Sequence, residues 1–384
     1  MNGLSDSELA YAEWVRDVTR RHLVPLVGCV EEGRVNRPLV AKMGEVGLLR
    51  GLFGGAVDEP PRDAAALQLC LLRETIAEIS AEAETALALQ GLGSYPILQS
   101  GRDETVARWI PGVVAGDVVA AFALTEPDAG SDAARLELRA EADGDGWRLS
   151  GEKVWISNAP EADVYTVFAR TTPGAGARGV TAFAVAGDAV GLTGEHLDLI
   201  SPHPIGRLRF DGVRVEAGDV LGEVDAGFKV AMRTLDLFRP SVGAFAVGMA
   251  QAALDVTLDH VSSRAAYGGV LADQQSIAHG LADLATQIQA SRLLVHAAAR
   301  AYDAGAARAE ITRSAAMAKL FATETAQRVV DQCVQFHGAR ALERGHLLEH
   351  LYRDVRAPRI YEGASEVQRS IIARELFNER ASGA

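Results

Sequence analysis

The hydrophobic period changes character twice along this 384-residue chain, and that double switch limits the folds open to it. Up to about residue 115, apolar residues recur at helical spacing with short breaks. From about 117 to 220, short runs rich in Val, Phe and Thr alternate with turn residues, as many short strands require. From Gly227 onward helical spacing returns in long stretches. Ile277, Leu281, Leu284 and Ile288 follow a 4-3-4 pattern that puts them on one face. This order predicts an α+β chain with a helical N-terminal domain (1–115), a middle β-sandwich or barrel domain (116–225), and a C-terminal domain of four-helix-bundle type (226–384). The length suffices for two or three cores.

Local signals place the elements. Ser5 and Glu8 are spaced as a capping box for the first helix, with Leu4 and Leu9 as a hydrophobic staple. Residues 64–89 are rich in Ala, Leu and Glu and predict helix; Pro96 and Pro111 are expected to punctuate the end of this block. Segments 135–142 and 147–157 flank Asp143-Gly144-Asp145-Gly146 and predict a hairpin, with further strands at 164–169, 180–185 and 207–215. A helix over 313–336 should stop at Gly338. Ser365 and Gln368 are spaced as a capping box for a last helix running to about Phe377, which leaves Glu362 in the loop just ahead of it, beside Gly363.

Acids outnumber bases 51 to 38, a net charge of -13, which argues against a broad nucleic-acid surface but leaves room for a local basic pocket. Cys29, Cys70 and Cys333 are odd in number and dispersed, so neither a disulfide framework nor a zinc site is expected. No HExxH spacing suggests a catalytic metal. The N-terminus carries acids without a long apolar core, and no uncharged, continuously apolar stretch reaches spanning length. The expectation is a soluble, cytoplasmic protein without membrane insertion.

Four segments carry chemistry only when taken together. Ala121-Phe-Ala-Leu-Thr-Glu-Pro-Asp-Ala-Gly-Ser-Asp132 reads as a strand running into a turn that exposes amides and hydroxyls. Lys153-Val-Trp-Ile-Ser-Asn158 ends a strand, where a Trp is commonly buried. Arg264-Ala-Ala-Tyr-Gly268, with Gln275, is a basic helix end followed by a loop. Arg353 to Arg369 contains Ile360-Tyr-Glu-Gly-Ala-Ser-Glu-Val-Gln-Arg369; a Glu in such a loop is commonly solvated. In this order and at these distances the four segments resemble the acyl-CoA dehydrogenase family, and the resemblance runs from the first helical block to the last helix.

The resemblance implies an N-terminal helical domain, a middle β domain and a C-terminal helical bundle, together with FAD as cofactor. Thr125 would bond the pyrimidine end of the flavin, with Phe122, Leu124, Gly130 and Ser131 lining that site. Trp155 and Ile156 would lie at the isoalloxazine, and Ser157 would donate towards flavin N5. Arg264, Tyr267, Gln275, Gln335 and Gly338 match positions that reach the FAD of a neighbouring subunit, and Ala364, Ser365 and Glu366 match a last FAD-contacting turn. Ser131, Asp236, Arg239, Tyr361 and Gly363 match substrate-contacting positions; for Asp236 and Arg239, an i, i+3 ion pair is the competing reading.

Glu362 matches the catalytic base that removes the α-proton of an acyl thioester while the β-hydrogen leaves as hydride. A subset of the family places its base on the first helix of the C-terminal block, one residue before Arg239, where this chain has Phe238. Two departures stand out: Gly338 is followed by Ala339 where the family has a Gly pair, and Ala364 stands where Thr is common. His203, in Ser-Pro-His-Pro, is either a structural loop residue or a contact to the pantetheine arm. The implied partners are an acyl-CoA substrate, an electron-transfer flavoprotein and further copies of the chain in a homotetramer. Alternative readings are the same oxidation on a carrier-protein thioester, an oxidase or monooxygenase relative, and a non-catalytic acyl-CoA-binding subunit of a mixed oligomer.

Overall fold

In the computed structural model, which describes residues 3–53 and 65–382, the capping box at the first helix forms as the spacing predicts. Ser5 Oγ accepts from the Glu8 N–H, and Glu8 accepts from the Ser5 N–H at 2.6 Å. Five α-helices open the described residues: α1 (Asp6–Val18), α2 (Arg37–Glu45), α3 (Ala66–Ala77), α4 (Ala81–Ser100) and α5 (Asp103–Ala115). Eight strands follow: β1 (Ala120–Ala123), β2 (Arg139–Asp143), β3 (Gly146–Ser157), β4 (Val164–Arg170), β5 (Val180–Ala186), β6 (Leu192–His196), β7 (Ile205–Val215) and β8 (Val220–Leu221). The chain ends with α6 (Gly227–Ser263), a small ribbon of β9 (Ala265–Ala266) and β10 (Gly269–Val270), α7 (Gln275–Asp303), α8 (Arg308–His337), α9 (Leu347–Asp354) and α10 (Ser365–Ser382). The expected α+β order is therefore present.

Three local expectations need correction. The helix expected over 64–89 is two helices, with Ala64 outside the described residues; Ser80 Oγ accepts from the Ala83 N–H at 3.1 Å and starts α4 afresh. Pro96 and Pro111 do not close the block but lie inside α4 and α5. Burial of the flanking Tyr95 and Ile97 offsets the hydrogen bond that Pro96 cannot donate. The block ends instead at Gly116, whose φ of 81° suits glycine. Finally, the expected Ser365–Gln368 capping box is absent. Ser365 is the first residue of α10 and donates to Glu324, while the Gln368 amide reaches back to the carbonyls of Glu362 and Gly363.

The chain separates into two compact units. One comprises Arg20–Ala64 and Thr85–Leu235. Its strands form one continuous eight-stranded sheet in the order β6-β7-β3-β2-β4-β5-β8, with β1 paired parallel to β4. The predicted hairpin is β2–β3: Asp143 pairs with Gly146 across a Gly144-Asp145 turn, and Gly144 has φ 65°. Leu149, Ile156, Tyr165, Phe183 and Phe210 share one apolar core.

The other unit comprises Met1–Thr19, Ala65–Glu84 and Asp236–Ala384. Eleven of the twelve residues of α3 are buried, so this helix has no wet face and is held by packing. Its N-terminus lacks a side-chain cap of its own; Asp303, at the end of α7, accepts from the N–H groups of Ala66 and Leu67 at 2.6 and 3.0 Å. Gly248 of α6 lets the helices close up, since a Cβ there would collide with the Glu74 carbonyl oxygen of α3. By length and composition α6 could cross a membrane, a feature the sequence reading passed over. In the protein 78% of its apolar window is buried, as in a core helix.

Candidate active site

Glu362 sits at φ 51°, in the left-handed region that costs a non-glycine residue about 1–3 kcal/mol unless its surroundings enforce it. The enforcement is visible. Lys319 of α8 donates through Nζ to the carbonyls of Tyr361 (3.1 Å) and Gly363 (2.7 Å), on either side of the glutamate. Gln368 of α10 donates through Nε2 to the carbonyls of Glu362 (3.3 Å) and Gly363 (2.8 Å). Both anchoring side chains are buried. Gly363 follows at φ 95°, and a Cβ there would collide with Gln368 Nε2. Ala364, Ser365 and Glu366 complete the turn into α10.

Held this way, Glu362 presents an unusual carboxylate. Its residue is half-buried, yet Oε2 is shut off from water and has no hydrogen-bond partner among the described residues. Burial pushes its pKa above the ordinary carboxylate value, while the charges of Arg73, Lys319 and Arg239 pull it back. Arg73 of α3 is itself buried, paired with Glu84 of α4 and donating to Ser241 Oγ at 2.7 Å. Burial raises the Glu84 carboxyl to about 7, with Arg73 opposing and Glu362 adding repulsion. Asp236 and Arg239 form the i, i+3 ion pair at 3.1 Å, both buried, and Phe238 between them is buried too. Lys319, Arg73 and Glu84 escaped the sequence reading. The available signal was a charge on α3, in a run with no polar face to hold it.

The Thr125 turn belongs to the sheet-bearing unit. Lys153, fully buried on β3, donates to the Leu124 carbonyl (2.9 Å) and to Glu126 (2.8 Å). The Glu126 carboxylate also accepts from the N–H groups of Glu137 (2.6 Å) and Leu138 (2.9 Å), which pins the turn at both ends. The Val154 N–H donates to the Thr125 carbonyl at 3.0 Å, bringing Thr125 alongside Trp155. Trp155 is not the buried strand tryptophan that its context suggests: its φ is 58° and 54% of it is exposed. Ile156 and Leu124 turn into the interior, Phe122 packs on Phe168, and Gly130 and Ser131 are exposed. Ser157 Oγ lies 2.7 Å from His203 Nε2, so His203 reaches this strand end.

The remaining residues gather around the ends of long helices. Arg264 follows α6, Tyr267 turns the β9–β10 ribbon at φ 52° with 91% exposure, and Gln275 opens α7. Gln335 lies in the last turn of α8, and Gly338 ends that helix at φ 64°. All five are exposed. His337 stacks on His260 with ring centroids 4.2 Å apart.

Comparison with known proteins identifies the family. Sequence models for the N-terminal, middle and C-terminal domains of acyl-CoA dehydrogenase match residues 5–117, 121–213 and 225–377. The chain is 34% identical over 390 residues to cyclohexane-1-carbonyl-CoA dehydrogenase of Geobacter metallireducens, covering 99% of this chain and all of that one. The chain belongs to the acyl-CoA dehydrogenase family. It is 37% identical to the mitochondrial short-chain specific acyl-CoA dehydrogenase of Sus scrofa over 96% of its length and 89% of the relative's. The solved butyryl-CoA dehydrogenase of Megasphaera elsdenii superposes with a TM-score of 0.90 at 32% identity, over 98% of this chain and all of that one. An oxidoreductase acting on acyl-CoA is thereby established, in a family that depends on FAD. The residues present fit that cofactor: Trp155 offers an exposed ring at a braced strand end, and neither Thr125 nor Ser131 spends its hydroxyl on a described residue.

Proposed function

We propose that the chain oxidises the Cα–Cβ bond of an acyl-CoA thioester to the enoyl thioester, with Glu362 as the base that takes the α-proton. The observation that carries this reading is Glu362 Oε2, buried and unpartnered at the apex of a turn that Lys319 and Gln368 hold in a left-handed conformation. A carboxylate so placed has a lone pair waiting for a donor, and its raised pKa strengthens it as a base. The α-hydrogen of a thioester is only weakly acidic, so charge developing on the thioester oxygen needs a donor. The Glu362 backbone N–H, which bonds no described residue, is available for that purpose.

Bound FAD supplies the two-electron acceptor for the β-hydrogen. Around it we assign Thr125 to the pyrimidine edge, Trp155 to the ring face and Ser157 to N5; with the imidazole proton on His203 Nε2, Ser157 accepts there and keeps its own proton for the ligand. Electron-transfer flavoprotein as the onward acceptor, and a cytoplasmic location, belong to the same proposal.

Glu362→Gln tests the assignment. It keeps the side chain's size and removes the basic oxygen, so flavin bleaching by a good acyl-CoA under anaerobic conditions should slow by at least about two to four orders of magnitude. FAD content and substrate-induced perturbation of the flavin spectrum should persist. Bleaching at near wild-type rate in the variant rejects Glu362 as the base.

A further inference from the structure

The geometry points to Lys319 as the positioning residue of the base: it fixes the backbone on both sides of Glu362 and adds its positive charge to those of Arg73 and Arg239 around that turn. This inference rests on Glu362 being the base. Lys319 projects from the middle of α8 and is fully buried, a costly location for an ammonium group. Among the described residues it bonds the two carbonyls that bracket Glu362, at 3.1 and 2.7 Å, and no carboxylate in direct ion pairing. Two neutral donors from an amide could brace the same carbonyls without the cost of burying a charge. The charge therefore has to be explained separately from the brace.

The surrounding groups supply the explanation. Lys319 feels Glu362 most strongly among charged groups, then Arg239 on α6, Glu324 on α8 and Glu366 on α10. Glu362 in turn feels Arg73 on α3, Lys319 and Arg239, and repels Glu84 on α4. Burial lowers the Lys319 ammonium to about 8, so it still carries its proton at neutral pH. One side chain thus couples the backbone conformation of the catalytic turn to the proton affinity of its carboxylate.

Two variants separate the brace from the charge. Lys319→Gln retains amide donors without charge, and Lys319→Arg retains charge on a different head. The acid limb of anaerobic flavin bleaching, measured from about pH 5 to 9 in the holoenzyme, should move up by about one pH unit or more in K319Q. It should stay in place in K319R, even where the maximal rate falls. A purely structural lysine would lower the rate in both variants without moving either limb, and an unmoved limb in folded K319Q overturns the proposal. Should K319Q fail to fold, Lys319→Met, which also removes the charge, is read by the same rule: a raised limb supports the charge role and an unmoved limb overturns it. Glu362→Gln, assayed alongside, keeps the readings apart. If it retains activity, the base assignment fails; if it is inactive while the K319Q limb is unmoved, only the role of Lys319 fails.

Discussion

A carboxylate that must accept a proton from carbon gains strength as burial raises its proton affinity, and loses availability at any pH below the raised value. Glu362 sits at that compromise, lifted by burial and restrained by Arg73, Lys319 and Arg239. Because the base acts deprotonated, the rate of flavin bleaching should rise with pH through an acid limb lying above the ordinary carboxylate range. A limb at or below that range would contradict the buried state of Oε2. Glu84 offers a test in the other direction. It shares Arg73 with Glu362 and repels it, so Glu84→Gln removes a negative charge and frees Arg73 to act on the base. Burial raises the Glu84 carboxyl to about 7, so it repels the base only above about that pH; in that range Glu362 of E84Q should hold its proton less tightly than in the wild type, the opposite of K319Q. Stability should fall as well, because removing one partner of a buried ion pair costs about 3–5 kcal/mol; urea unfolding monitored by circular dichroism would record it.

At the scale of elements, function depends on turns that buried lysines hold from behind. Lys153 braces the Thr125 turn as Lys319 braces the Glu362 turn, each bonding carbonyls next to the functional residue. Lys153→Met would leave the Leu124 carbonyl and one side of Glu126 without their donor. FAD affinity, followed by quenching of flavin fluorescence, should fall at least tenfold while the far-ultraviolet spectrum of the sheet persists; unchanged affinity would remove Lys153 from the cofactor site. The sequence made the turns themselves legible, because Pro, Asp, Gly and Ser mark them and the hairpin turns within the 143–146 segment read as its loop, at Gly144-Asp145. It did not reveal their braces. A lysine on a strand or helix looks solvated until tertiary packing closes over it. Strand β6, with exposed and half-buried positions only, has no alternation to detect, and β8 is two residues long. The prolines of α4 and α5 misled for the same reason: local propensity yields when the flanking residues are buried. Glu362 itself was found by its motif, and its burial only by the structure.

At the scale of the whole molecule, the described chain leaves apolar residues uncovered on the long helices of its bundle-bearing unit. Leu293 and Leu294 of α7, Phe321 of α8, and Leu376 and Phe377 of α10 are all exposed. Arg264, Tyr267, Gln275 and Gln335 are exposed at helix ends of the same unit, and few of their polar groups are engaged within it. Isolated exposed apolar residues are ordinary, but a set of them on consecutive long helices suits closed association through those helices. We therefore predict a homotetramer in which Arg264 and Gln275 of one chain reach the FAD held by another. Light scattering of the holoprotein at micromolar concentration should give four chains with about one FAD each. The paired change Leu293→Lys and Phe321→Glu places unlike charges on the uncovered faces without touching the Thr125 turn or the Glu362 turn. It should yield smaller species that lose FAD on gel filtration, with the absorbance near 450 nm falling in step with the mass. A Gln275→Ala variant should stay tetrameric and lose FAD on dilution more readily than the wild type. A monomer retaining its full complement of FAD would show that each chain holds its cofactor unaided, and the exposed helix-end residues would then need another explanation.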